Sequence, residues 1–261
     1  MPLVTSTEMF RKAYEGGYAV GTKSDLTGGM NSLDKQNVMW GAGIQVADQA
    51  GGYAGFFTHM DNKEGAYAKS APKLISKQLY NRISATDIRD WWDPSDKESP
   101  YVSKKFSFAN VASFLGDYIY MRVEEMYFTA AEAALRLDDL KSARELMNTV
   151  MAERDPGYSA NNRSGTLLGA TTTTWTGSFL ENILTHRRIE LWGEYGRLFD
   201  VRRLGQGIDR RTDDGFSEEC ISMMNRRNVN ITKADTYDWV LTIPKAELDA
   251  NPNINEEDQN P

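Results

Sequence analysis

The sequence predicts a mainly α-helical protein built from tetratricopeptide-like helix pairs, with long irregular loops and a few short strands. Three observations lead there. Apolar residues recur at three- and four-residue steps over two adjacent segments rich in Ala, Glu, Leu and Met; a third long segment shows the same period; and glycine pairs crowd the first sixty residues. The 261 residues read as one domain, with 1–95 loop-rich and candidate for facing a ligand, and 96–261 a helical core and tail.

From Met1 to about Thr58, Gly16-Gly17, Gly28-Gly29, Gly41, Gly43 and Gly51-Gly52 punctuate short pieces such as Asn37-Val38-Met39-Trp40, which predicts loops with brief helix or strand. Between Ser70 and Ile88, Leu74, Ile75, Leu79, Tyr80 and Ile83 mark a helix with one buried stripe, and Asp93-Pro94 terminates the next segment. A helix is expected from about Tyr118 to Leu137 on the period of Val123, Met126, Tyr127, Ala130, Ala131, Ala134 and Leu137. After Asp138-Asp139, Leu140, Ala143, Leu146, Met147, Val150 and Met151 continue the period to Asp155-Pro156-Gly157. So short a connection makes an antiparallel hairpin, with Ala130, Ala134, Leu146 and Val150 expected along the seam.

A polar connection, 157–175, leads to a helical region from Ser178 to Arg203 carrying Leu180, Ile183, Leu184, Leu191, Trp192, Tyr195, Leu198 and Phe199, with Gly193 and Gly196 marking a kink or close contact. Residues Gly205 to Asp235 are charged and irregular. Trp239 to Ile243 reads as a short strand, Pro244 to Leu248 as one helical turn, and Asn251 to Pro261 as a polar tail.

Composition excludes several function classes. Thirty Lys and Arg against 37 Asp and Glu give a net charge of -7, which leaves no electrostatic footprint for nucleic acid. A lone Cys220 rules out an internal disulfide or thiol zinc cluster, and two distant histidines, His59 and His186, make a His-ligated metal or a His triad an unusual construction. No apolar run is long enough to span a bilayer as a helix. Asp25, Asp34, Asp48 and Asp61 lack the twelve-residue pattern of a calcium loop and read as solvated loop carboxylates, and no phosphate-binding loop is present. No catalytic residue, metal or cofactor is expected.

Two constellations remain. Arg187, Arg188, Glu190, Glu194, Arg197 and Asp200 lie at helical spacing and read as a structural charge lattice, Arg's planar fork being suited to bidentate pairs that tie helices together. The other reading makes Glu190 and Glu194 the carboxylate pair of a helical glycoside hydrolase. Trp40, Tyr53, Phe56, Phe57, Trp91 and Trp92 lie in or beside Gly- or Pro-punctuated segments. They are either core or exposed ligand platforms, since a flat ring can cover the C–H face of a sugar. Trp40 leads, because Gly41 and Gly43 give its backbone freedom to present the indole; Trp192 belongs to the core and Trp175 is open to either reading.

Three stretches then become familiar together. Arg122-Val123-Glu124-Glu125-Met126-Tyr127-Phe128-Thr129-Ala130-Ala131-Glu132-Ala133 is similar to an Arg-x-x-Glu plus Ala-Glu-Ala helix. Arg187-Arg188-Ile189-Glu190-Leu191 through Glu194, Gly196-Arg197 and Asp200 to Arg203 is similar to an Arg-Arg-x-Glu-Leu signature. Ile243-Pro244, Glu247, Asn251-Pro252 and Gln259-Asn260-Pro261 form a matching ending. With Asp87-Ile88-Arg89 and Met39-Trp40-Gly41 as further landmarks, the chain resembles the C-terminal half of the SusD/RagB-like family of outer-membrane nutrient-binding lipoproteins. His186 stands where the family often has Glu. The resemblance implies an α-α superhelix and non-catalytic binding of a glycan or other polymeric nutrient. It also implies delivery to a TonB-dependent, SusC-like transporter from the outward face of the outer membrane, the full-length protein being lipid-anchored by a segment without counterpart here. A tetratricopeptide-like scaffold for protein partners is the rival reading.

Overall fold

The computed structural model describes residues 15–48, 54–161, 163, 177–194, 196–206 and 241–259. It is helix-rich with a few short strands, and it divides into two compact units: Met1–Ala170 with Thr176–Tyr195, and Thr171–Trp175 with Gly196–Pro261.

The first unit begins with α1 (Lys23–Thr27), capped by Thr22 and Asp25, and β1 (Val38–Ala42). A 3-10 turn at Val46–Asp48 and three short helices come next: α2 (Phe56–Met60), α3 (Ala66–Ser70) and α4 (Lys77–Tyr80). The helix expected across 70–88 is therefore confined to α4. Its forerunners are extended because their backbone groups are taken by a neighbour: Ile75 N–H donates to the Tyr101 carbonyl at 3.2 Å and Ser103 N–H to that of Lys73 at 2.9 Å. Ser76 then caps α4 through the Leu79 amide. β2 (Trp92–Asp93) pairs antiparallel with β3 (Val102–Ser103).

β4 (Tyr118–Arg122) runs antiparallel to β1 and leads without a loop into α5 (Val123–Arg136). The expected helix start at Tyr118 is thus corrected by five residues. Tyr118, Ile119 and Tyr120 are aromatic or β-branched, and their backbone is claimed by a strand eighty residues earlier. Asp139 caps α6 (Leu140–Ala152) by accepting from the Ser142 amide at 3.0 Å, and α6 packs on α5 as the expected hairpin. Its buried positions are Ala130, Ala131, Ala143, Met147, Val150 and Met151; Ala134 and Leu146, expected in the seam, are only half-buried.

α7 (Phe179–Glu190) is capped by Ser178 and packs against α5. It ends at Glu190, and three residues on Gly193 takes φ +73, a conformation that strains any L side chain, at a point where a Cβ would meet Phe106 Cε2 at 2.6 Å. Of the kink or close contact expected here, Gly193 serves the close contact, and the single helical region expected from Ser178 to Arg203 is two separate helices. Beside the buried α5–α6–α7 seam, the described residues include one cluster of Leu26, Ile75, Leu79, Trp91, Trp92 and Ile189 and another of Met30, Phe57, Phe106 and Phe108, and the half-buried Trp192 packs against both.

The second unit holds α8 (Arg197–Arg203), which opens on Gly196 at φ +110, and α9 (Lys245–Ala250), with a last 3-10 turn at Glu256–Asp258. The strand expected at Trp239 to Ile243 lies partly outside the described residues, and Leu241 to Ile243 is not a strand. Instead the Gln259 carboxamide brackets Ile243, accepting from its N–H at 2.8 Å and donating to its carbonyl at 2.9 Å.

Candidate functional site

At the C-terminus of α7, carbonyls without helical partners and the negative end of the helix dipole favour cations. The ammonium of Lys105, wholly buried, meets that demand, donating to the carbonyls of Glu190 at 2.7 Å and Trp192 at 2.8 Å and to Glu194 Oε1 at 2.5 Å. Glu190 is the hub of a wider buried network. Its Oε1 accepts from Arg122 Nη1 at 2.9 Å and Arg154 Nη2 at 3.0 Å, and its Oε2 from Arg89 Nη1 and Arg154 Nε, both at 2.9 Å. Arg122 also grips Glu194, through Nε at 2.9 Å and Nη2 at 2.7 Å, and lies 3.0 Å from Glu124 Oε2. Glu124 accepts in turn from Arg154, Asn37 and the Gly21 amide, while Asp87 clamps Arg89.

Four cations (Arg89, Lys105, Arg122, Arg154) thus face four carboxylates (Asp87, Glu124, Glu190, Glu194). Burial opposes the Glu190 charge, but Arg154, Arg122 and Arg89 outweigh it and hold the carboxyl well below the usual range. Glu194 is lowered in the same way, burial being overcome by Arg122 and Lys105. Glu190 is closed to water with both oxygens taken by guanidinium groups, and Glu194 is engaged by Arg122 and Lys105. Burial lowers Lys105 to about 8, against the pull of Glu194.

The other expected lattice members fall elsewhere. Arg187 ties α7 to α5 through Glu125 at 2.8 Å, and Arg188 is half-buried. In the second unit Asp200 accepts from Arg203 at 2.8 Å, and Arg197 donates to Gln206 at 3.3 Å. Helical spacing does not reveal Arg89, Lys105, Arg122 and Arg154 as partners of Glu190 and Glu194, because they come from loops and the ends of other elements far away in sequence; the motif stretches that hold Asp87 to Arg89 and Arg122 signal those two arginines, and Lys105 and Arg154 carry no such signal. His186 is buried against Tyr158, ring centroids 5.1 Å apart, and burial, then Arg89 and Arg163, lower it to about 3. Asp61, expected to be solvated, is buried and accepts from the amides of Lys63, Glu64 and Phe108.

The expected aromatic platforms separate sharply. Trp91, Trp92 and Phe57 are 2%, 3% and 2% exposed, and the Trp91 indole donates to the Leu26 carbonyl at 3.0 Å. These are core residues: Trp91 and Trp92 pack with Ile75, Leu79 and Ile189, and Phe57, on α2, with Met30, Phe106 and Phe108. Phe56 is half-buried with its ring edge on Phe57 and Phe106. Tyr53 and Trp175 lie outside the described residues.

Trp40 is 63% exposed, and beside it stands Tyr120, at 37%, a residue that periodicity alone assigns to a helix. Their ring centroids are 5.1 Å apart and the planes are inclined at 58°. The presentation of this pair depends on an irregular ladder. Val38 pairs with Arg122 and Ala42 with Tyr118 in one register, but Trp40 lies opposite Met121, and the register shifts on either side of it. In a regular pleat Val38 and Trp40 would share a face, as would Tyr118, Tyr120 and Arg122. Val38 and Arg122 are buried and Tyr118 packs on the second core cluster, so the irregularity is what accompanies the outward turn of Trp40 and Tyr120. Gly41 serves a close approach, not backbone freedom: a Cβ there would collide with the Tyr118 carbonyl oxygen.

Among the described residues no helix is long and apolar enough to cross a membrane. The sequence profile of the SusD family matches residues 59–261. Two solved structures are similar to the chain. One is a SusD-like carbohydrate binding protein from Bacteroides vulgatus, at 25% identity and TM-score 0.60, over 77% of this chain and 41% of that one. The other is a SusD superfamily protein from Bacteroides thetaiotaomicron, at 21% identity and TM-score 0.70, over 98% and 57%. The chain therefore spans about half the length of either. No curated protein matches it.

Proposed function

Because the chain belongs to the SusD family, we propose that it binds a glycan, without chemically altering it, for delivery to a TonB-dependent transporter of the SusC-like kind, from the outward face of the outer membrane. The observation that carries the reading is the exposed Trp40–Tyr120 pair. A pyranose presents an apolar C–H face and a rim of hydroxyls. An indole covers the first at small entropic cost, and an inclined phenol beside it offers an edge and an O–H to the second. The similar carbohydrate binding protein from Bacteroides vulgatus supports the same ligand class. Anchoring by a lipid on the full-length protein completes the proposal.

The test is retardation in native gels containing soluble amylopectin, arabinoxylan or galactomannan, with a casein peptide pool as a polymer of different chemistry. Retardation by at least one polysaccharide that is lost in Trp40→Ala supports the reading. Binding of the peptide pool alone, or polysaccharide binding indifferent to Trp40, overturns it.

A further inference from the structure

The Trp40–Tyr120 pair sits on a two-stranded ladder, an element with little rigidity of its own. Something must hold its irregular register. One residue before β1, Asn37 is 2% exposed and is bound at both its backbone and its side chain. Its carbonyl accepts from the Val123 amide at 2.9 Å, and its Nδ2 donates to Glu124 Oε1 at 2.9 Å and lies 3.2 Å from Oε2. Those partners are the first two residues of α5, directly after β4. The Glu124 carboxylate is itself immobilised by Arg154 and Arg122.

We propose that Asn37 is a positioning residue for ligand recognition, clamping the closed end of the β1–β4 ladder to the buried ionic network so that the Trp40 irregularity is retained. The proposal deepens the glycan reading given above and rests on it for its functional consequence. The clamp is asymmetric. At the far end of the ladder the Asp117 carboxylate accepts from the Ile44 and Leu33 amides, both at 3.0 Å. At the near end Arg122 fixes β4 from its last residue through Glu190 and Glu194, while β1 has no charged side chain of its own, so the Asn37 carboxamide is what joins it to the buried network. With the clamp intact, relaxing to a regular pleat would require Val38 or Arg122 to leave the interior. With it removed, β1 can rotate or slip about its backbone bonds, and Trp40 loses its fixed position over Tyr120. The ionic network thereby acquires a role that its burial conceals. It never touches ligand, but it pre-organises the ring that does.

The experiment needs no ligand for its first readout. The chain is labelled with 5-fluorotryptophan, the Trp40 fluorine resonance is assigned by its absence in Trp40→Phe, and the contribution of the neighbouring ring is defined by its shift in Tyr120→Leu. Asn37→Ala is expected to move the Trp40 resonance in the direction seen for Tyr120→Leu, or to broaden it. Val150→Ala, a core truncation in α6 that lowers stability elsewhere, leaves it in place. Gel retardation on amylopectin, arabinoxylan and galactomannan is expected to weaken by about tenfold in Asn37→Ala. Asn37→Ser, whose shorter side chain falls back from the Glu124 carboxylate while staying polar, serves the same readouts if the alanine variant does not fold. An unmoved Trp40 resonance in the folded variant overturns the proposal. If the resonance moves but the parent binds none of the three polysaccharides, the positioning role stands and the glycan reading fails.

Discussion

Replacing Glu190 by glutamine removes one negative charge from a site wholly closed to water and changes almost no volume. The carboxylate accepts four guanidinium hydrogen bonds between 2.9 and 3.0 Å, two on each oxygen. An amide keeps one acceptor oxygen but turns an NH2 donor toward two N–H donors, so two charge-assisted bonds become repulsive contacts. Four buried cations then face three carboxylates. Breaking a buried pair by removing one partner costs about 3–5 kcal/mol, and because three arginines share this one the loss should reach the upper end. At about 2–4 °C per kcal/mol for a domain of this size, melting should fall by roughly 6–20 °C. The pH dependence carries a definite sign. Glu190 is held below its ordinary value in the folded state, so its stabilisation is complete above the unfolded-chain value of about 4.3, erodes as pH falls below that, and is gone once pH passes the folded value. Urea unfolding of parent and variant at pH 7 and pH 3.5 should therefore show a large gap that narrows in acid. A variant as stable as the parent at pH 7 would refute the idea that Glu190 is the hub.

The same geometry sets three other outcomes. Ala143→Phe, at a wholly buried position of α6, should cost about 1–3 kcal/mol or more by overpacking the hairpin, and Ala134→Phe less, because Ala134 is half-buried; thermal melts of the two compare them directly. Lys105 is lowered to about 8 by burial, so between pH 8 and its unfolded value near 10.4 the unfolded chain binds the extra proton, and stability should rise with pH across that window relative to Lys105→Met; a gap that stays constant would contradict the buried charge. Trp91→Ala should lose about 3–5 kcal/mol of stability, seen in chemical denaturation, since it empties the core and orphans the Leu26 carbonyl; an unchanged denaturation midpoint would place Trp91 at the surface.

Legibility in the sequence depends on how local the cause of each feature is. The α5–α6 hairpin can be read because both helices carry their own apolar period and the Asp139 cap lies between them. The boundary at Tyr118 cannot, because a strand partner eighty residues away takes those backbone groups, and so periodicity hides Tyr120 as the neighbour of Trp40. Trp40 itself is legible as an exposed candidate, though for an incomplete reason: glycine comes after it to admit the Tyr118 carbonyl, while the outward turn accompanies an irregular ladder. Trp91 and Trp92 resemble platforms because turn residues surround them, yet those turns fold inward onto Ile75, Leu79 and Ile189. For the charge network, the helical motif identifies Glu190 and Glu194, while spacing along one helix cannot reveal cations from Arg89, Lys105 and Arg154.

The central claim is that one exposed aromatic pair captures sugar. Isothermal titration of an oligosaccharide released from whichever polysaccharide retards the chain, into the parent and into Trp40→Ala and Tyr120→Leu, tests it most directly. Both side chains are solvent-exposed, so both variants should keep the parent's melting temperature within about 2 °C, while losing a stacking contact of ~1–3 kcal/mol, roughly ten- to a hundredfold in affinity, for Trp40→Ala and less for Tyr120→Leu. Equal affinity in parent and Trp40→Ala, with both folded, would contradict it.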